Sequence, residues 1–80
     1  MFLVINTVYG NINIKKFDDK DDAINYLYEI LFNNLYGALK KDQFIDKIIK
    51  EEKDGYILYK LNDTVYFDVC NEPIGFIVEI

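Results

Sequence analysis

The sequence predicts an α+β domain of two layers, in which an antiparallel-rich sheet carries two helices on one face. Five short runs are rich in valine, isoleucine, phenylalanine and tyrosine, the residue types that favour strands. Between the second and third of these runs, apolar residues recur at helical spacing. The elements therefore follow the order ββααβββ, and we expect residues 1–80 to form a single compact domain.

The first two runs predict a β-hairpin. They span Phe2–Val8 and Ile12–Phe17, and the dipeptide Gly10-Asn11 lies between them. Glycine at the first central position suits a two-residue turn, because it adopts the positive φ that such a turn requires.

The next segment predicts an amphipathic helix. Asp18 or Asp19 can cap its start, where the backbone N–H groups favour a carboxylate. Tyr28 and Phe32 widen its apolar side beyond the stripe of an ordinary surface helix. Either the helix is wedged between two layers, or an edge formed by Tyr28, Phe32 and Tyr36 contacts a partner. The apolar stripe itself consists of Ala23, Ile24, Leu27, Ile30, Leu31 and Leu35.

A second helix is predicted within residues 40–55, after Gly37 ends or kinks the first. Asp42 can cap it and Gly55 can stop it. A narrow apolar stripe supports this prediction, since four residues recur at helical spacing: Phe44, Ile45, Ile48 and Ile49.

Three strands complete the chain. They span Tyr56–Leu61, Thr64–Cys70 and Gly75–Ile80. Asn62-Asp63 makes the first turn, and the stretch Asn71–Ile74 makes the second and holds the single proline.

If Asn62-Asp63 is a two-residue turn, Tyr59 lies opposite Tyr66, and alternation divides the hairpin into two faces. The better core face carries Tyr56, Leu58, Val65, Phe67 and Val69, joined by Phe76, Val78 and Ile80 of the last strand. The outer face carries Ile57, Tyr59, Leu61, Thr64, Tyr66, Asp68 and Cys70, joined by Ile77 and Glu79. A slip of one residue would exchange the two faces.

The outer face is the predicted partner surface. Tyr59 and Tyr66 form an aromatic pair with Ile57 beside it, and the carboxylates of Asp68 and Glu79 lie at its edge. Tyrosine combines a large apolar area with a polar tip and is enriched at protein interfaces. Two alternatives stay open, because a cross-strand aromatic pair stabilises a sheet by itself, and the first hairpin could fold over this face.

The composition argues against an enzyme. The chain has no histidine, serine, tryptophan or arginine, so the usual activators of a nucleophile are missing. Cys70 is the only cysteine. The four glycines of the chain are too far apart for a phosphate-binding loop. The acidic run at Asp18–Asp22 matches no calcium loop. We therefore expect no catalytic residue, no metal and no cofactor.

The formal net charge of −5 arises from 14 acidic residues and nine lysines. Direct nucleic-acid binding is therefore unexpected, since phosphate affinity depends on basic residues. An acidic chain instead suits a protein partner with a basic surface. No apolar run is long enough to span a membrane, and the first residues do not resemble a signal peptide, so we expect a cytoplasmic protein.

These features favour a non-enzymatic interaction domain. In general character, the chain resembles small phage-encoded proteins that block host defence, including anti-CRISPR proteins. That resemblance implies that the chain is an inhibitor. Some inhibitors of this kind occupy a nucleic-acid-binding groove. The same surface could also join two copies of the chain. The alternative function is a small-molecule or nucleotide-binding module that stacks flat ligands on exposed tyrosines.

Overall fold

The computed structural model describes residues 1–34, 40–62 and 72–80. It confirms the predicted fold class, because the described strands form one antiparallel sheet in the order β2-β1-β5-β4-β3, together with two helices. The elements are β1 (Phe2–Asn6), β2 (Asn13–Phe17), α1 (Lys20–Asn34), α2 (Lys41–Asp46), β3 (Ile48–Lys53), β4 (Tyr56–Leu61) and β5 (Gly75–Glu79).

The first hairpin is confirmed, but its predicted two-residue turn is wrong. β1 pairs with β2 from Phe2 opposite Phe17 to Asn6 opposite Asn13, which leaves a six-residue connection. Within it, Gly10 has a φ of +87°, and its N–H donates to the carbonyl oxygen of residue 7 at 3.0 Å. Asn6 is buried, and its side-chain oxygen accepts a hydrogen bond from the N–H of residue 8, so the asparagine holds the start of the loop.

Helix α1 forms where its apolar stripe predicts it. Asp19 caps it, since its carboxylate accepts a hydrogen bond from the Asp21 N–H at 2.8 Å. Leu35 and Gly37 of the predicted helix lie outside the described residues. The rest of the predicted stripe is buried: Ala23, Ile24, Leu27, Ile30 and Leu31.

The second helix is much shorter than predicted. α2 ends at Asp46, and residues 48–53 form β3 instead. The predicted cap Asp42 lies in the first turn of α2, and the Gln43 side chain accepts a hydrogen bond from the Lys40 N–H. The predicted stop Gly55 lies in the turn between β3 and β4, with a φ of +90°. Pairing with β4 has overridden an apolar spacing that fits a short helix equally well.

The predicted hairpin between residues 56–61 and 64–70 is also wrong. β4 pairs with β3 along one edge and with β5 along the other. The cross-strand neighbours of Tyr59 are therefore Lys50 and Ile77. Tyr66 lies outside the described residues, as does Cys70.

The two faces of the sheet are the reverse of the prediction. Tyr59, Leu61 and Ile77 were assigned to the outer face but are 5%, 1% and 0% exposed, packed beneath the helices. We call this side the helix-side face. The buried cluster consists of Val4, Ala23, Ile24, Leu27, Leu31, Phe44, Tyr59, Leu61 and Ile77. Ile80, predicted to join the core, is 61% exposed.

Candidate interaction surface

The side of the sheet away from the helices carries an apolar surface that no described residue covers with a second layer. Its register brings Ile5 between Ile14 and Phe76, and Val78 between Leu3 and a leucine of β4. We call this surface the open face. It consists of Leu3, Ile5, Ile14, Ile49, Tyr56, Leu58, Phe76 and Val78, with Lys16, Glu51, Lys53 and Lys60 around them.

A groove of about 410 Å³ lies on the open face near the end of the first hairpin. Its walls are mainly apolar, and Thr7, Lys60 and Glu72 supply polar atoms. The apolar lining comes from Ile5, Ile12, Leu58, Pro73 and Phe76. A groove with this lining can receive an apolar side chain and orient a polar group beside it.

Two isoleucines at the β2 side of the open face are strongly exposed. Ile12 is 72% exposed and Ile14 is 60% exposed. By contrast, Leu3, Ile5, Leu58, Phe76 and Val78 are half-buried. The apolar centre and its exposed isoleucine border form one continuous surface.

The charges of the open face are mostly basic. Glu51 accepts hydrogen bonds from Lys60 at 2.7 Å and Lys53 at 3.1 Å. These two bonds, with Lys60 contributing more, lower the pKa of the Glu51 carboxyl. With Lys16 and Glu72 included, three lysines and two carboxylates give the open face a net charge of +1, against −5 for the whole chain.

The carboxylates concentrate elsewhere. Asp18, Asp19, Asp21 and Asp22 are all exposed at the start of α1, which packs on the helix-side face. The charge distribution is thus asymmetric, and a partner approaching the open face meets an apolar centre and lysines. A basic partner would find its complement at the start of α1 instead.

Tyr59, the centre of the predicted partner surface, is an internal residue. Its hydroxyl donates a 2.6 Å hydrogen bond to Glu79, and the Lys20 ammonium lies 4.8 Å from the centre of its ring. The hydrogen bond to Glu79, followed by burial, raises the pKa of Tyr59 to about 12. Ile57 and Glu79 share this helix-side face, and Ile57 packs against the core. The prediction that these three residues face outward is wrong.

The predicted aromatic edge of α1 divides between core and surface. Tyr28 is half-buried and packs edge-on against Phe44, with ring centroids 5.1 Å apart. Phe32 lies 5.5 Å from the Tyr28 ring and is 51% exposed, so it remains accessible on the helical layer. Tyr36 and the predicted site residue Asp68 lie outside the described residues.

The sequence interpretation missed the open face because it assigned Leu58, Phe76 and Val78 to the core. One signal favours strand β3 over the predicted helix, although it does not identify the buried side of the sheet. Asp54-Gly55 is a strong two-residue hairpin dipeptide, and it lies between a run with β-branched residues and a strand. Read as a hairpin, it pairs Lys53 with Tyr56, which is the observed register.

Within residues 1–34, 40–62 and 72–80, no group of three or more acidic, cysteine or histidine side chains is arranged to hold a metal ion. In the same ranges, no helix has the length and apolar character needed to cross a membrane. No family model, curated protein or solved structure shows significant similarity to this chain.

Proposed function

We propose that this protein is a non-enzymatic interaction domain that binds another protein through the open face. The observation that carries the proposal is the apolar centre of that face, which no described residue covers. A sheet that faces water on one side normally alternates apolar and polar residues. Here β4 and β5 are apolar on both sides, because Leu58, Phe76 and Val78 alternate with buried residues.

The size of the open face supports a binding role. Five strands about 4.8 Å apart, each about 17 Å long, span roughly 400 Å². That area includes the charged border as well as the apolar centre. A standard interface buries about 800 Å² on each partner. The partner therefore extends over the exposed Ile12 and Ile14 and onto the charged border.

The charges of the open face define the partner's chemistry. Lys16 and Lys60 border the apolar centre, and the open face with its border has a net charge of +1. The complementary surface is apolar in the middle and acidic at its margin. This differs from the basic partner expected from the net charge of the chain. An inhibitor of a host or defence protein would act here by covering such a surface and excluding its natural ligand.

The test compares two matched substitutions, each of which replaces an exposed apolar residue by lysine. Ile12→Lys places a charge in the groove of the open face, whereas Phe32→Lys places one on the helical layer. Both wild-type residues are more than half exposed, so both variants should fold, which circular dichroism checks. A partner captured by the wild-type chain should be lost with Ile12→Lys and retained with Phe32→Lys.

Two results would contradict the proposal. Loss of the partner with Phe32→Lys but not with Ile12→Lys would place the interface on the helical layer. Equal retention by both variants would show that the groove is not part of the interface. Sedimentation of the purified chain tests whether a second copy of the chain binds to the open face. A dimer that depends on Ile12 would mean that the chain itself is the partner.

The groove also favours a second candidate function, the binding of a small apolar molecule. Its volume of about 410 Å³ lies within the usual range of ligand pockets. The tyrosine-stacking site expected from the sequence is not the candidate, since Tyr59 is buried. A thermal-shift screen tests this function, and a ligand that raises the melting temperature of the wild type but not of Ile12→Lys would support it.

A further inference from the structure

Strand β2 presents an unpaired edge. It lies at the end of the sheet and pairs with β1 along one side. No residue within 1–34, 40–62 or 72–80 pairs with its other side. In an antiparallel pair, alternate residues turn both N–H and C=O away from the partner strand. β2 therefore offers a row of backbone donors and acceptors that an additional strand could use.

The side chains of β2 are apolar and basic. Ile14 and Lys16 lie on the open face, and Lys15 lies on the helix-side face, where its ammonium is 4.6 Å from the centre of the Tyr26 ring. Residues 13–16 are all exposed. Among the described residues, no carboxylate forms an ion pair with Lys15 or Lys16. The strand thus carries two adjacent positive charges that no carboxylate of the described residues neutralises.

The opposite edge strand differs in this respect. In β3, Lys53 lies 3.1 Å from Glu51, and Lys50 lies 3.8 Å from Glu52. Its charges are therefore matched within the strand itself. An approaching acidic segment gains electrostatic attraction at β2 that β3 does not offer.

We propose that β2 receives an extended, acidic segment of a protein partner as an additional strand of the sheet. Carboxylates of that segment lie opposite Lys15 and Lys16, and apolar residues lie opposite Ile12 and Ile14. This inference rests on the proposed function, because it places the partner on the border of the open face. It adds that backbone pairing, and not side-chain contact alone, attaches the partner there.

A second copy of β2 is a poor occupant of this edge. In a symmetric antiparallel pair centred on Lys15, each Lys15 lies opposite its copy, and each Lys16 lies opposite an Ile14. Four ammonium groups would then crowd one short ladder, and like charges directly opposite each other destabilise a sheet. Lysines on an edge strand discourage such self-pairing and leave the edge open to an acidic strand.

The register specifies the sequence pattern of the bound segment. The bound segment runs antiparallel to β2, so its first residue lies opposite Phe17 and its last opposite Ile12. From first to last, its residues are apolar, acidic, acidic, apolar, polar and apolar. A fluorescent peptide containing Val-Glu-Glu-Val-Thr-Val is a direct probe of this pattern. The matched control peptide replaces both glutamates by lysine and keeps every other residue.

The experiment measures peptide binding to the full chain by fluorescence anisotropy. The glutamate peptide should bind, and the lysine peptide should bind more weakly by about tenfold, as expected for two surface charge pairs. Lys16→Glu should reduce this preference without disturbing Lys15, which contacts the Tyr26 ring. A preference unchanged by Lys16→Glu would overturn the proposed position of the segment.

N-methylated peptides separate strand addition from simple charge attraction. Two versions of the glutamate peptide carry N-methyl groups on alternate residues, one on the odd and one on the even positions. An added strand directs only one of these sets towards β2, so one version should lose binding and the other should keep it. Equal binding of both versions, or no binding of the unmodified peptide up to millimolar concentration, would overturn the inference. Loss of a captured partner with Ile12→Lys would still support the proposed function in that case.

Discussion

Tyr59 links three elements of the structure through one side chain. Its ring lies in the core, its hydroxyl bonds to Glu79 of the neighbouring strand, and Lys20 at the start of α1 lies over the ring. A hydrogen bond from a hydroxyl to a carboxylate is generally shorter and stronger than one between neutral groups. Tyr59 therefore has a structural role in this fold, which explains why a tyrosine lies in the interior.

Replacing this tyrosine tests that role. Tyr59→Phe keeps the ring but removes the donor, and it should lower the free energy of unfolding by about 1–2 kcal/mol. Tyr56→Phe is the control, because Tyr56 is 42% exposed and its loss of a hydroxyl should change little. Urea unfolding of both variants measures the difference. Equal stability of the two variants would show that the bond to Glu79 contributes nothing.

The same bond predicts a dependence of stability on alkaline pH. The folded-state pKa of Tyr59 is about 12, above the value near 10 expected in the unfolded chain. Below pH 10, the Tyr59 hydroxyl is protonated in both the folded and the unfolded chain, and the stabilisation is complete. The stabilisation is lost as the pH rises towards 12. Glu79→Gln removes the carboxylate that contributes most to the raised pKa, so ultraviolet titration should show a lower pKa for Tyr59. An unchanged titration would contradict this assignment.

The β3–β4 hairpin depends on its two-residue turn. Gly55 has a φ of +90°, and a Cβ added there would meet no atom within 4 Å. The cost of Gly55→Ala is therefore conformational, and we expect it to be about 1 kcal/mol. Gly55→Asn should cost less, since asparagine tolerates a positive φ better. Thermal unfolding of the two variants provides the comparison, and an equal loss in both would point to a cause other than backbone conformation.

Helix α1 approaches the sheet closely at Gly75. A Cβ added to Gly75 would lie 2.7 Å from Cδ1 of Leu27, closer than two carbon atoms can approach. Gly75→Ala should therefore destabilise the domain by about 1–3 kcal/mol through overpacking. In a double-mutant cycle with Leu27→Ala, the two losses should be less than additive, because the smaller side chain relieves the clash. Strict additivity would contradict this contact.

Some elements could be predicted from the sequence and others could not. The stripe of α1 repeats over several turns and has a capping aspartate, so both its type and its buried side were predictable. Ile48 and Ile49 of β3 continue the helical spacing of Phe44 and Ile45, so this stretch also suits a helix. Only pairing with β4, a tertiary interaction, decides between the two structures.

The orientation of the whole sheet could not be deduced from alternation. β4 and β5 have apolar residues on both sides, so the pattern does not identify the buried one. The sequence interpretation placed Leu58 and Val78 in the core, whereas the helices cover Tyr59 and Ile77. The candidate site therefore could not be predicted as a surface. The apolar character of both sides was nevertheless visible in the sequence and is the feature that now supports a partner.

At the level of the molecule, the two layers present different chemistry. The start of α1 carries exposed carboxylates, and the open face combines an apolar centre with lysines. A partner can therefore distinguish the two sides by charge as well as by hydrophobicity. We propose that the open face, and not the helical layer, is the side that meets a partner.

Site-specific photo-crosslinking in cells that naturally express the protein tests this claim most directly. A benzophenone amino acid replaces Ile14 on the open face in one variant and Phe32 on the helical layer in the other. Both positions are exposed, at 60% and 51%, so both probes can reach a bound protein. We predict that one discrete partner crosslinks to position 14 and not to position 32. A discrete partner at position 32 alone, or the same partner at both positions, would contradict the account.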